Sequence, residues 1–179
     1  VAGPAIVARD QWQALEANAK RMTPATGRWQ RITVHHSAES SSRIGAGSLA
    51  DSSHTIRLIQ KYHMQDPDKL WGDIGYHFLI DSSGRVFEGR DLRWQGAHAG
   101  GANNRGNIGI CMLGEFLDKE LQPAAIQALD KLIEELRSEF GIPRSQVFPH
   151  NELSKTACPG PWLSRYLDRE IVVEQARGQ

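Results

Sequence analysis

The clearest pattern in the chain is Pro123–Phe140, where Ile126, Leu129, Leu132, Ile133 and Leu136 recur at three- and four-residue steps. That spacing lines one face of a helix, and Pro143 closes it. Ile32-Thr33-Val34-His35-His36 alternates like a strand. Gly75–Ile80 and Arg85–Glu88 are strand candidates joined through Asp81-Ser82-Ser83-Gly84, a hairpin turn. The apolar run Ile108–Leu113 is long enough for a central strand. A Ser- and Gly-rich stretch over Ser37–Ser53 reads as a long loop. From Ser53, the positions Ile56, Ile59 and Met64, with Leu58 and Tyr62, predict a helix ending before Pro67. A shorter helical pattern lies around Ala8–Ala17, and a last short helix is expected after Pro159. Strands interleaved with helices predict an α/β fold, a single domain over residues 1–179 with a central mixed β-sheet flanked by helices.

Composition narrows the function classes. The charges balance, with 21 Lys+Arg against 21 Asp+Glu, so the basic excess of a nucleic-acid-binding surface is missing. No apolar run approaches the roughly 18–20 residues of a membrane span. The opening Val1–Ala5 has neither a starting Met nor the pattern of a signal peptide, so the expectation is a mature or trimmed form. Of the two cysteines, Cys111 sits within an apolar run and reads as a buried free thiol.

The histidines change the picture more. There are seven, and their setting singles out a subset. His35 lies on a predicted strand, and His150 precedes Cys158 by eight residues across a loop. Two imidazoles and a thiolate are one ligand set of a catalytic zinc site with an open position. Alternation puts Ile32, Val34 and His36 on one strand face and Thr33, His35 and Ser37 on the other, which favours His35 as the ligand. Pro159 as the first helical residue would put Cys158 at an N-cap, where the helix dipole favours a thiolate. The rival chemistry is a cysteine nucleophile activated by a histidine. It uses one imidazole where this chain offers two.

At these residues the sequence resembles the zinc amidase superfamily that includes peptidoglycan recognition proteins and phage amidase-type lysozymes. The resemblance runs from about Ala8 to Leu167. It is carried by Ala8-Arg9-Asp10-Gln11-Trp12, Val34-His35-His36-Ser37, Trp71 through Ile80, Gly84 through Arg90, Gly96-Ala97-His98, Asn107-Ile108-Gly109-Ile110 and His150 through Gly160, in family order. It implies zinc at the floor of a surface cleft, held by His35, His150 and Cys158. It also implies Tyr76 as catalytic tyrosine, and Thr156 in a second catalytic position with a hydrogen-bonding role. The implied reaction is hydrolysis of the amide joining N-acetylmuramic acid to L-alanine in peptidoglycan, with a receptor that binds without cutting as the alternative.

Candidate substrate-binding residues are His98, Arg105, Trp71 and Trp94, with Trp162 a further aromatic for a sugar groove. Arg105 stands one position from where the resemblance expects an arginine, which is Gly106. Asp91-Leu92 replaces the pair linked to the third stem residue, so the stem-peptide preference stays open. The expected partner is peptidoglycan or a muropeptide, met by a monomer in the periplasm, in the cell wall or outside the cell.

Overall fold

A computed structural model describes residues 5–38, 47–117 and 119–168. Its strands are β1 (Ile6–Val7), β2 (Arg31–His36), β3 (Phe78–Ile80), β4 (Val86–Glu88), β5 (Asn107–Met112) and β6 (Val147–Pro149). They form one sheet in the order β1-β4-β3-β5-β2-β6. Among these described strand pairs β3–β4 is antiparallel and the others are parallel, so the sheet is mixed. The helices are α1 (Leu49–Gln65), α2 (Pro123–Phe140), the one-turn α3 (His150–Leu153) and α4 (residues 161–168). This is the predicted α/β domain. Among the described residues, no helix is long and apolar enough to cross a membrane.

Period-two alternation in the central strands divides the interior into two layers. Ile32, Val34, Phe78, Ile80, Ile108, Ile110 and Met112 face α2 and pack with Leu129, Leu132, Ile133 and Leu136. Each of those four helix side chains is almost wholly removed from water, contributing about 1.5–3 kcal/mol apiece. The opposite layer joins Leu79, Cys111 and Leu113 to Ile56 and Ile59 of α1, with Trp12 and Phe87. Thr33, His35 and Asn107 are also on that side, which makes it the polar one.

Local chemistry sets the helix ends. α2 opens on Pro123 and closes on Gly141, whose φ of +67° suits a residue without a Cβ. α1 starts at Leu49, inside the stretch expected to be a loop, because the Ser48 hydroxyl accepts the Asp51 N–H at 3.0 Å. The middle of that expected loop, residues 39–46, lies outside the described residues.

The helix expected around Ala8–Ala17 does not form; residues 9–13 make turns and 14–17 are irregular. Long-range partners outcompete an i→i+4 ladder there. Trp12 is fully buried and its indole N–H donates to the Glu88 carbonyl at 2.8 Å. The Leu15 N–H goes to Gln60 on α1, and the Arg9 guanidinium bonds the Gly89 and Leu15 carbonyls.

Two buried charge networks hold the segments that reach the site. Asp81 accepts from the backbone of Ser83 and Arg85, from the Arg85 guanidinium and from the Ser52 hydroxyl, tying the hairpin to α1. Asp73 pairs with Arg9 at 3.0 Å and accepts from Gln60 at 2.7 Å. Arg90 donates to the carbonyls of Asp73, Ile74 and Gln95. Together they clamp the stretch between Trp71 and Tyr76 against the sheet.

Candidate metal centre and its cleft

The register of two parallel strands brings the two histidines of the site together. β2 pairs with β6 so that Val34 lies beside Pro149. His150 therefore emerges one residue past β6 beside His35, and their rings are 4.4 Å apart between centroids. The third group comes from the loop before α4. Cys158 Sγ accepts the His36 backbone N–H at 3.3 Å and lies 3.8 Å from His35 Nδ1. The ligand atoms of His35, His150 and Cys158 all lie within 4.8 Å of one another, a group that can hold a metal ion.

Two observations test whether a cation fits. His150 Nδ1 is buried without a hydrogen-bond partner, and a buried polar atom in that state needs an explanation. Burial acts on the two imidazoles and on the thiol in opposite ways. It holds His35 well below and His150 below the usual imidazole range, leaving lone pairs free, with neighbouring imidazoles adding to the effect. It pushes the Cys158 thiol up to about 11, against the His36 N–H that favours thiolate. A divalent cation offsets that cost, because the thiolate is then paired. The group fits a metal.

The thiol is not at an N-cap. α4 begins at Pro161, three residues past Cys158, so the thiol does not cap the helix, and burial raises it where the helix dipole was expected to lower it. The Thr156 hydroxyl accepts the Cys158 N–H at 3.2 Å, bracing the loop from an exposed position.

Tyr76 stands beside His35, at 5.2 Å between ring centroids. Simple alternation would put it on the face of Phe78 and Ile80. It packs instead with the Leu79 layer, because β3 starts only at Phe78 and the chain bends before it. Burial, with the thiols of Cys111 and Cys158 adding to it, holds its phenol well above the usual value, so it is a hydrogen-bond donor at neutral pH.

Tyr76 and His98 both line a cleft of about 330 Å³ that also meets Ser37, Leu58, Ile59, Tyr62, His63, Lys69, Trp71 and Ala97. A depression of about 160 Å³ adjoins it, sharing Trp71 and Ala97 and adding Arg21 and Thr23. Trp71 and His98, two of the residues expected to bind substrate, are thus in the cleft. Trp94 and Arg105 line neither hollow. Trp94 acts through its carbonyl, which meets His77 Nε2 at 3.1 Å, and Arg105 is exposed beyond a 3-10 turn. Trp162 stacks on Tyr166 against the α2 layer.

His63, not among the expected site residues, also lines the cleft. It is buried, its ring lies 4.7 Å from Trp71 and 5.6 Å from Tyr76, and its Nδ1 accepts the Gly75 N–H. Burial lowers it to about 4, with Lys69 and Arg90 adding to the effect. The available signal was its spacing from Ile56 and Ile59, which puts a histidine on the inward face of α1.

The mixed sheet thus carries a His/His/Cys group beside a cleft tyrosine. The chain belongs to the N-acetylmuramoyl-L-alanine amidase family, whose model matches residues 25–161. It is 33% identical to Peptidoglycan-recognition protein SC2 of Drosophila simulans over 162 residues, 89% of this chain and 83% of that protein. It is 36% identical to N-acetylmuramoyl-L-alanine amidase of Homo sapiens over 110 residues, 60% of this chain and 19% of that protein. Among solved structures it superposes on peptidoglycan recognition protein-LE in complex with tracheal cytotoxin, with a TM-score of 0.80 at 25% identity, covering 92% of this chain and 93% of that one.

Proposed function

We propose that this protein is a zinc-dependent amidase that hydrolyses the bond between N-acetylmuramic acid and the L-alanine of peptidoglycan stem peptides. The observation that carries the proposal is the group His35, His150 and Cys158, gathered within 4.8 Å beside the Tyr76 phenol and an open cleft. Zinc in a site of two imidazoles and a thiolate supplies Lewis acidity toward an amide carbonyl and toward water.

The remaining roles belong to the chain. Tyr76, kept protonated by burial, donates its O–H to the oxygen on which charge develops. Thr156 holds the loop that carries Cys158 and has no charge with which to act as an acid. Trp71, backed by His63 and lying 5.7 Å from the Lys69 ammonium, offers a flat apolar wall for sugar or stem peptide. Hydrolysis of a glycosidic bond is disfavoured, because such enzymes use a pair of carboxylates and no Asp or Glu is among the residues lining the two hollows. The substrate places the action in the periplasm, in the wall or outside the cell.

A second reading, a receptor that binds peptidoglycan without cutting it, draws on the relatives named as recognition proteins. One digestion separates the two. Purified peptidoglycan incubated with the zinc-loaded protein should release stem peptides with a new amino group on L-alanine and no new reducing ends. Chelation should stop release and zinc should restore it. New reducing ends, or an amine on another stem residue, would overturn the bond assignment. Tight binding with no new ends would establish the receptor.

A further inference from the structure

The cleft histidine His98 has an unusual setting. It is nearly buried, and both of its ring nitrogens have partners inside the protein. Nε2 lies 3.1 Å from the Asn107 carbonyl oxygen, and Nδ1 lies 2.9 Å from His35 Nε2. A carbonyl only accepts, so Nε2 of His98 carries the proton. Nδ1 of a neutral His98 is then bare and accepts, so the proton between the two rings belongs to His35 Nε2. It follows that His35 Nδ1, the atom 3.8 Å from Cys158 Sγ, presents a lone pair. Two hydrogen bonds thus transmit the polarity of one backbone carbonyl to the edge of the metal group.

The protein also builds a slot for this ring. A Cβ at Gly109 would fall 2.6 Å from the His98 ring, and one at Gly96 would fall 2.5 Å from it. The backbone around it is held as well, since Asn104 Oδ1 accepts the N–H groups of both His98 and Ala99. The Asn107 side chain bonds Thr33 and the Asn103 carbonyl, which steadies the residue whose own carbonyl begins the relay. The segments Gly96-Ala97-His98 and Asn107-Ile108-Gly109 meet here, and their glycines are small because an imidazole lies across them.

We propose that His98 is a positioning residue that fixes His35 as its Nε2–H tautomer and so turns the His35 Nδ1 lone pair toward Cys158 for the metal. This rests on the metal centre proposed above. Partners of this kind behind a ligating histidine typically change metal affinity about 10- to 100-fold.

The test is the zinc affinity of the full chain, measured by competition with a chromophoric chelator. In His98→Asn the side-chain oxygen stands where Nδ1 stood and still accepts from His35. In His98→Gln the amide reaches the Nε2 position and that acceptor is gone. The wild type and His98→Asn should agree within a few-fold, while His98→Gln should bind zinc about 10- to 100-fold more weakly. Equal affinity in all three, or an Asn variant as weak as the Gln variant, would overturn the role of His98 alone. A wild type that binds no zinc would overturn the metal centre and this proposal with it. A second measurement needs no variant. Two-bond nitrogen–proton NMR of the wild-type imidazoles should find Nε2–H on both His35 and His98, and Nδ1–H on either sinks the proposal.

Discussion

The two faces of strand β2 bury neighbouring residues to different ends. Ile32 and Val34 enter a layer of aliphatic side chains against α2, where any apolar group of similar volume would satisfy the same demand. Thr33 and His35, one position along, enter a layer where each polar atom needs a particular partner: Thr33 meets Asn107, and His35 meets His98 and faces Cys158. The first face gains stability from area and is tolerant. The second buries imidazoles and a thiol at a cost in stability and is specific. One strand therefore carries both the core and the chemistry, separated only by the alternation of its side chains.

Variants on each face should break this contrast in different ways. The largest effects should come from the polar face. Cys158→Ser and His150→Ala should lose both zinc and turnover while the circular dichroism spectrum stays native. Full zinc occupancy in either, by atomic emission, would mean the ligands are elsewhere. Leu129→Ala on the apolar side should cost about 2–5 kcal/mol of stability and leave the zinc affinity of the folded protein unchanged. A matching loss of affinity would show that the two layers are not independent.

Tyr76→Phe sharpens the contrast within the polar face, between groups that hold metal and groups that act on substrate. Turnover should fall about 100- to 1,000-fold with zinc content intact. Wild-type turnover in the zinc-loaded variant would remove Tyr76 from the mechanism.

Acid should attack the histidine side first. Burial lowers His63 and His77 to about 4 each, so the unfolded chain takes up protons near pH 6.5 that the folded protein refuses. Stability is therefore present above pH ~6.5 and is lost as the pH falls toward ~4. His63→Gln should make the slope of stability against pH between 6.5 and 5 shallower by about 1 kcal/mol per unit, read from urea unfolding. An unchanged slope would mean that His63 is not buried neutral.

The smallest effect should be Thr156→Val. It removes one hydroxyl acceptor at an exposed position, worth about 1 kcal/mol, or roughly fivefold in turnover. A loss as large as that of Tyr76→Phe would give Thr156 a direct part in the reaction.

Much of the fold was legible because its signals are local. α2 follows the bounds of its own apolar period, and β2 and β5 begin and end within a residue of the expected runs. Strand β6 was not legible: three residues ending in proline carry too little period to be read. That short strand nonetheless delivers His150 to His35. Of the expected substrate residues, Trp71 and His98 reach the cleft. Trp94 and Arg105 line neither hollow, since sequence spacing says nothing about which side of a loop faces a groove.

Local pattern alone sets the layered α/β architecture, the inward face of α2, and which side of β2 carries chemistry. All three follow from the 3.6- and 2-residue periods that local sterics impose on helices and strands. The sequence also marks His35, His150 and Cys158 as a possible ligand set. Their convergence comes from long-range packing, because His35 and His150 are 115 positions apart (150 − 35) and a parallel register closes that distance. Only the tertiary structure decides that Cys158 precedes its helix without capping it, that Tyr76 leaves the alternation of β3, and that His98 lies across two glycines against His35. These are outcomes of long-range packing, and no local period encodes them.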